Sequence, residues 1–427
     1  MSNASLSEVR DGDGEFFNYV SLFFLCATIV VPVFLTSVYT SRDINVIVMG
    51  LQLVFVLANY RSLSKCMSHF LSRWVMPTLL VGVFFICALS WFFLGVEVVR
   101  EDRFYFYIVQ FFFYFSFVAY LQEQRVGLKE VFFIKGFSLL IVLVVFLIVW
   151  LSSDPAAWEG SVKPHPPLYR HIRHFNYDLF IFTGLLCWAY LKNFVSYMFF
   201  AFLMVLIGFL TAWTGARGQA AATFVLIVLL MLTFRKEAVA LAGSMAVWLL
   251  FGASLLLLSG ETHMLFDSVS TSARDSMNGI SSGRLAIWGA TWEVSQISPI
   301  FGLGPEAFYN YNVIDANIVQ PHSLIFQVLI EFGFLGLSVV SVLALFLICK
   351  SFLAIYVKRS SEYLVFMYLF MLSILAFSLV DGLFYHGVPF SLSLMVLAYI
   401  NVSEGYGKNV HVGCIQNFGP EKSIGRP

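Results

Sequence analysis

The chain has few charged residues. Asp, Glu, Lys and Arg make up 12% of its 427 residues, about half the usual share in a soluble domain. Apolar residues make up 59% and aromatic residues 18%. Basic and acidic residues both number 25, so no excess of positive charge attracts nucleic acid. This composition excludes a soluble enzyme and predicts that lipid solvates most of the chain.

The sequence also lacks paired cysteines and a signal peptide. Its 6 cysteines are scattered singly, without a Cys-x-x-Cys pair, so neither a disulfide framework nor a zinc site is expected. The first 15 residues are polar and acidic and have no basic n-region or small-residue cleavage site. The first apolar run is therefore expected to stay in the protein as a membrane helix.

Long apolar runs dominate the rest of the sequence. A membrane-spanning helix needs about 20 apolar residues, and about twelve runs approach that length, although the sixth and eighth are short. We therefore predict an all-α polytopic integral membrane protein with about 12 transmembrane helices. The predicted spans are 16–40, 44–60, 75–99, 104–121, 131–151, 179–191, 194–214, 219–234, 239–260, 323–349, 364–381 and 383–401.

Basic residues divide unequally between the two sides of this map. With the N-terminus in the cytoplasm, 16 of the 25 Lys and Arg lie on the cytoplasmic side, as the positive-inside rule requires. We predict a cytoplasmic segment at 1–15, a transmembrane domain at 16–401 and a cytoplasmic tail at 402–427. The two long connections, 152–178 and 261–322, face outward. Because loops held by a rigid scaffold often carry function, the chemistry is expected on the outer face.

The first outer connection ends in a dense group of basic residues. Arg170, Arg173 and His174 fall within one helical turn of each other. They form either a basic loop that faces lipid headgroups or an anion-binding site. A metal site is the least favoured reading, because the histidines there are not compactly spaced and have no Cys or Glu beside them.

A second basic residue lies in a tight turn between two predicted spans. Arg217 has Gly215 and Gly218 close by and no acidic neighbour in sequence. An arginine in hydrocarbon costs about 3 kcal/mol at mid-depth on insertion scales, so one kept at the boundary usually has a partner or a task. Arg217 either extends to the headgroups or grips phosphate oxygens, which a guanidinium can do with two hydrogen bonds.

The second outer connection contains a predicted amphipathic helix. Leu285, Trp288 and Trp292 share one stripe of it, so the helix is expected to rest on the membrane surface. Arg284 lies in its first turn, directly after the polar residues 281–283. Backbone N–H groups, serine hydroxyls and a guanidinium converge there, which is the chemistry of an anion site.

This connection closes where the chain re-enters the membrane. His322 lies at that boundary, and Ser323 is expected to cap the following helix. A lone histidine is usually structural, but this position beside a long polar loop favours a functional role. Glu331 lies about two turns further in, and it is a base, a proton relay or a partner for a buried arginine.

Several of these residues belong to motifs that follow one another in a characteristic order. The motifs are Arg284 and Trp288, Pro299, Gly302-Leu303-Gly304, Phe308, His322 and a Gly333-x-x-Gly336 helix. In this order and topology the chain resembles the O-antigen ligase and polymerase superfamily, and Thr214-Gly215-Ala216-Arg217-Gly218 resembles that superfamily's upstream arginine motif. The motifs cover 205–340. Ala216 and Ser323 depart from the Ser and Asn that the family often has.

The resemblance implies a metal-independent, cofactor-free glycosyltransferase of the GT-C kind. Such an enzyme moves O-antigen or a related glycan from undecaprenyl diphosphate to lipid A-core oligosaccharide, on the periplasmic face of the bacterial inner membrane. Arg217 and Arg284 would neutralise the departing diphosphate, and His322 would accept the acceptor's proton or orient its hydroxyl. The expected substrate-binding residues are Arg170, Arg173, His174, Trp288 and Glu331.

Three alternatives stay open. A polymerase would extend the lipid-linked glycan; its Arg-x10-Gly pattern matches once, from Arg173 to Gly184. A protein O-oligosaccharyltransferase usually has a larger C-terminal region than the one here. A polyprenyl-lipid or polysaccharide transporter belongs to another class and would have ionisable residues at mid-membrane. Most charged residues of this chain lie at the ends of spans or in loops, and Glu331 is the main exception.

Overall fold

The computed structural model describes residues 5–35, 38–73, 101–124, 128–152, 172–259, 283–314, 318–357 and 360–409. Within these ranges the chain forms fourteen α-helices and no strand. They are α1 Ser5–Leu35, α2 Ser41–Ala58, α3 Tyr60–Arg73, α4 Glu101–Gln124, α5 Leu128–Ser152, α6 Ile172–Leu191, α7 Tyr197–Thr214, α8 Arg217–Met231, α9 Lys236–Ser259, α10 Arg284–Ser295, α11 Ala307–Asn310, α12 Leu324–Phe352, α13 Glu362–Val380 and α14 Gly387–Asn409.

Six of the described helices are long and apolar enough to cross a membrane. These spans are Arg103–Glu123, Tyr197–Thr214, Lys236–Leu258, Leu324–Val357, Glu362–Val380 and Gly387–Glu404, with shorter apolar helices at Tyr19–Leu35 and Arg217–Met231. The prediction of an all-α polytopic membrane protein is confirmed. The predicted span 75–99 lies outside the described residues, so the number of about twelve stays a prediction.

The two outer connections are partly helical. Helix α6 begins at Ile172, so residues 172–178, assigned to the connection 152–178, form its first two turns. This moves Arg173 from a loop onto a packed helix. Helix α10 lies inside the connection 261–322, as predicted from its apolar stripe. Residues 153–171 and 260–282 of these connections lie outside the described part.

Aromatic side chains and close helix contacts make up the core. Phe55 packs against the rings of Phe113 and Tyr120, with centroids 5.4 and 5.5 Å away. Helices α7 and α9 approach each other at Gly208 and Gly252, where a Cβ would lie 2.2 Å or less from a backbone oxygen of the facing helix. Small residues allow this kind of contact between membrane helices, where packing drives association.

The connections between helices lie at two opposite ends of the bundle. One end holds the α1–α2, α7–α8 and α13–α14 connections and the start of α12, and we call it the site end. The other end holds the α6–α7, α8–α9 and α12–α13 connections, and we call it the far end. At the far end the ion pairs Arg235–Glu362 and Lys350–Glu404 each measure 3.0 Å.

Helix α12 is broken near the site end. Gly333 has φ 64° and ψ −164°, a conformation that is essentially confined to glycine. A loop segment, 299–304, crosses the break and supplies hydrogen bonds to the backbone groups that the helix no longer pairs. These bonds are Leu303 N to Ile330 O (2.8 Å), Gly304 N to Glu331 O (2.9 Å), Phe334 N to Pro299 O (2.8 Å) and Leu335 N to Ile300 O (3.1 Å).

A buried ion pair joins α5 to α6 inside the bundle. Lys135 on α5 is one of the 16 basic residues expected on the cytoplasmic side, but its Nζ lies 2.6 Å from Asp178 Oδ2 on α6, and both side chains are buried. A charge this far inside needs a partner because hydrocarbon does not solvate it. Lys135, Asp178 and Glu331 are therefore all ionisable residues within the helical layer.

Candidate active site

His322 lies at the centre of a polar cluster at the site end. It directly precedes α12 and has φ +53°, which is uncommon for a residue other than glycine. Its Nε2 lies 2.6 Å and its Nδ1 3.2 Å from Arg173 Nη1. The Arg173 guanidinium carries only donors and lies close to both ring nitrogens.

A carboxylate also lies next to this imidazole. Asp381 Oδ1 lies 3.8 Å from His322 Nδ1 and accepts hydrogen bonds from Tyr177 Oη at 2.7 Å and Gly382 N at 2.8 Å. Asp381 Oδ2 lies 3.4 Å from Arg284 Nη2. The Asp381 side chain is only 7% exposed. The structure thus brings Arg173, Arg284 and His322 together around one buried carboxylate.

Arg217 borders the same cluster. It is the first residue of α8 and is exposed. A Cβ added to the next residue, Gly218, would lie 3.5 Å from Asp381 Oδ2 and 2.9 Å from the Phe377 ring. The start of α8 therefore packs directly beside Asp381.

Three helices begin at this cluster without a side-chain cap. Their N-cap residues are Ala216 before α8, Gly283 before α10 and Ser323 before α12, and none makes a capping hydrogen bond. The expectation that Ser323 caps α12 is therefore wrong; it occupies the N-cap position, but its side chain makes no capping hydrogen bond. The positive ends of helix dipoles favour a bound anion. Among the described residues, buried Arg284 Nε also finds no hydrogen-bond partner.

Trp288 supports the His322 backbone. Its Nε1 donates to Pro321 O at 2.9 Å, and its ring stacks on Phe326 with centroids 5.5 Å apart. The predicted stripe on α10 is thus divided: Leu285 and Trp292 are exposed, whereas Trp288 turns partly inward. Trp288 therefore holds Pro321, the residue directly before His322.

His174 faces a different side of α6. Its ring packs against His386 with centroids 4.4 Å apart, and His386 Nε2 lies 3.1 Å from Gln320 Nε2. Both imidazoles line a cleft together with Asp178 on α6 and residues of α1, α2 and the start of α14. Tyr177 lies between this cleft and Asp381, 5.3 Å from the His386 ring.

Two further predicted residues are not placed in this cluster. Arg170 lies outside the described residues. Glu331 lies in a second buried cluster, where Tyr107 Oη donates to its Oε2 at 2.8 Å and the backbone N–H of Glu306 donates to its Oε1 at 3.0 Å. Its roles as base, relay or partner for a buried arginine stay predictions. Within the described ranges, no group of three His, Cys, Asp or Glu could hold a metal ion.

The sequence reasoning missed Asp381 and Tyr177. Asp381 ends the predicted span 364–381, so it was treated as a boundary residue of an apolar run. The signal that could have revealed it is the acidic residue itself, because it stands at an outer membrane boundary where the other candidate charges are basic. Tyr177 carried no such signal, since its position in the first turns of α6 depended on where that helix begins.

The comparison with protein families bears on this arrangement. Residues 200–341 match the family model of the O-antigen ligases. We call these residues the ligase segment; they extend from α7 into α12 and contain Arg217, Arg284 and His322. The resemblance inferred from the motifs is therefore confirmed. No curated protein matches the chain.

The ligase segment supports a general function. Its family implies a glycosyltransferase-like enzyme of the O-antigen ligase or polymerase type, with a lipid-linked glycan and a lipid acceptor as its general partners. Two residues of the His322 cluster, Arg173 and Asp381, lie outside the ligase segment. Helix α6 and the α13–α14 connection thus complete a cluster that the ligase segment begins.

Proposed function

We propose that the protein transfers O-antigen or a related glycan from undecaprenyl diphosphate to lipid A-core oligosaccharide. The reaction takes place on the periplasmic face of the bacterial inner membrane and needs no metal ion. The observation that carries the proposal is the cluster at the site end, where the His322 imidazole lies 2.6 Å from a guanidinium and 3.8 Å from a carboxylate. This is the arrangement of a general base with a group that stabilises its charged form.

The reaction forms a bond between an acceptor oxygen and the anomeric carbon of the donor glycan. The bond that breaks joins this carbon to the diphosphate oxygen, which takes the electron pair. The acceptor hydroxyl displaces Arg173 from His322 Nε2 and gives its proton to that nitrogen. The Asp381 carboxylate then stabilises the imidazolium, because opposite charges at this distance attract each other strongly when little water intervenes.

Arginines neutralise the leaving diphosphate. Arg284 has a buried Nε without a partner among the described residues, and exposed Arg217 lies at the start of α8, which packs beside Asp381. Preorganised donors aimed at developing negative charge are each worth about 3–4 kcal/mol in comparable sites. The three uncapped helix starts add N–H groups to the same region.

We favour a ligase over a polymerase because the single Arg-x10-Gly match has another explanation. Gly184, the glycine of the single Arg-x10-Gly match, lies inside α6, where a Cβ would come within 2.0 Å of the Phe370 ring. Helix packing therefore accounts for this glycine. We assign the buried ion pair of Lys135 with Asp178 to the packing of α5 against α6.

Reconstitution with defined substrates tests the proposal. Purified protein in lipid vesicles receives lipid-linked glycan and either lipid A-core or a second lipid-linked repeat. The ligase reading predicts glycan on lipid A-core, with none when His322 is replaced by alanine. Product only on the lipid-linked repeat would establish a polymerase, and movement of donor across the membrane without any new glycosidic bond would establish a transporter.

A further inference from the structure

A second buried cluster adjoins the His322 site and takes no part in the proposed reaction. We call it the Glu306 cluster. Its members are Arg42, Arg103, Tyr107, Glu306, Glu331 and Tyr385. They come from α2, α4, the 299–306 loop, α12 and the α13–α14 connection. The cluster therefore ties together segments that the chain separates by hundreds of residues.

Glu306 is the centre of this cluster. Its side chain is 3% exposed and binds Arg42 Nη2 at 2.9 Å. Tyr385 Oη donates to its two carboxylate oxygens at 2.9 and 3.1 Å. Burial and the nearby Glu306 charge raise the pKa of the Tyr385 phenol, so the hydroxyl stays protonated and keeps donating. Glu306 also has φ +64°, an uncommon conformation that its partners must maintain.

The cluster holds the turn that carries Asp381. The backbone oxygen of Tyr385 accepts hydrogen bonds from Arg103 Nη1 at 2.9 Å and Asn45 Nδ2 at 3.1 Å. Asn45 Oδ1 in turn accepts from Gly387 N at 2.6 Å. Arg103 is buried with its guanidinium carbon 4.5 Å from the Tyr385 ring centroid. Contacts from α2 and α4 thus fix the turn 381–387.

The same cluster also holds the start of α12. The backbone N–H of Glu306 donates to Glu331 Oε1, and Glu331 lies in the short helical stretch between His322 and the break at Gly333. Two buried carboxylates face two guanidinium groups here. Removing one charge of such a set is costly because it leaves another buried without a partner. Both sides of the His322–Asp381 contact are therefore anchored in one network.

We propose that Tyr385, Glu306 and Arg103 are positioning residues that keep Asp381 opposite His322. Their effect on turnover rests on the proposed function, whereas their effect on the geometry around His322 does not. None of the three touches the reacting atoms in this account. Their contribution is to fix the 381–387 turn and the start of α12 relative to each other.

The test uses Tyr385→Phe, which removes only the hydroxyl that donates to Glu306. Its matched control is Tyr356→Phe at the far end, where the lost hydroxyl donates to Leu232 O at 2.9 Å. We expect kcat to fall about 10-fold to 100-fold in Tyr385→Phe, as for a misplacement of about an ångström, while the donor KM changes less than about twofold. The control keeps the wild-type kcat.

A second readout follows His322 without any turnover. Diethyl pyrocarbonate modifies accessible neutral imidazoles, and mass spectrometry of the His322 peptide gives the rate. His322 is only 12% exposed, so the reagent reaches it mainly when the surrounding structure opens locally. Loosening those surroundings therefore raises the rate of modification, by about threefold or more in Tyr385→Phe. The Tyr356→Phe protein modifies at the wild-type rate.

The double variant Tyr385→Phe with Glu306→Ala completes the test. Each change removes the hydrogen bond between the Tyr385 hydroxyl and the Glu306 carboxylate, so the loss of kcat in the double variant equals that of the worse single variant rather than their product. Multiplied losses, or a Tyr385→Phe protein that matches Tyr356→Phe in both kcat and His322 modification, would overturn the proposal. If wild-type protein transfers no glycan but His322 modification still rises in Tyr385→Phe, the proposed function fails and the positioning role stands.

Discussion

Replacement of Asp381 by asparagine separates the electrostatic role of this residue from its shape. The amide oxygen can still accept from Tyr177 and Gly382, so the turn keeps its hydrogen bonds. Only the negative charge is lost, 3.8 Å from His322 Nδ1 and 3.4 Å from Arg284 Nη2. The variant therefore reports on what the carboxylate does for the imidazolium that forms during transfer.

The distance sets the expected size of the effect. Unit charges 3.8 Å apart attract by about 4 kcal/mol at an effective dielectric constant of about 20. The positive charge of Arg284 partly neutralises Asp381, and the positive charge of Arg173 lies next to His322. Both weaken the attraction, so we take roughly 2 kcal/mol as the lower bound of the lost stabilisation. At 1.36 kcal/mol per factor of ten, kcat should fall between about 30-fold and about 10³-fold. The donor KM should stay the same or decrease, because Arg284 loses its competing anion.

The assay measures initial transfer rates against donor concentration in reconstituted vesicles. The matched control is Glu404→Gln, which removes a carboxylate 3.0 Å from Lys350 at the far end and should leave kcat unchanged. The reasoning is refuted if Asp381→Asn, at equal protein level and equal melting temperature, keeps the wild-type kcat. It is also refuted if the whole loss appears in the donor KM.

Three further predictions concern the site and the broken helix. Alanine at each proposed catalytic residue should abolish transfer at normal membrane expression, and wild-type activity would remove that residue from the site: the variants are Arg217→Ala, Arg284→Ala and His322→Ala. Transfer should persist in excess EDTA; loss of activity that a divalent metal restores would contradict the metal-free mechanism. Gly333→Ala should destabilise the protein by about 1–3 kcal/mol or more, because its Cβ would lie 2.3 Å from Ile300 O. Gly243→Ala, where nothing lies within 4 Å, should not lower the melting temperature, and equal melting temperatures for the two variants would contradict this account of the break.

Much of the fold could be predicted because each membrane helix is encoded by its own stretch of sequence. Apolar runs of about 20 residues are visible without knowledge of their neighbours, and α4, α7, α9, α12, α13 and α14 all fall on predicted spans. Arg284 and His322 could be identified as candidates from the sequence for a similar reason. They stand in polar stretches at membrane boundaries and within motifs of fixed order.

Contacts between distant segments could not be read in this way. Asp381 joins His322 and Arg284 only because the α13–α14 turn packs against the starts of α8 and α12, and no local pattern states that packing. The break at Gly333 was equally hidden. A glycine within an apolar run usually marks a close helix contact in a membrane, and only the crossing segment 299–304 shows that this one marks a change of direction.

The measurement that tests the central claim most directly is a structure of the protein with undecaprenyl diphosphate bound. The account predicts the diphosphate at the site end, with its oxygens within hydrogen-bond reach of the guanidinium groups of Arg217 and Arg284 and the glycan-bearing side directed toward His322. A diphosphate bound at the far end, or one beyond the reach of both arginines, would contradict it.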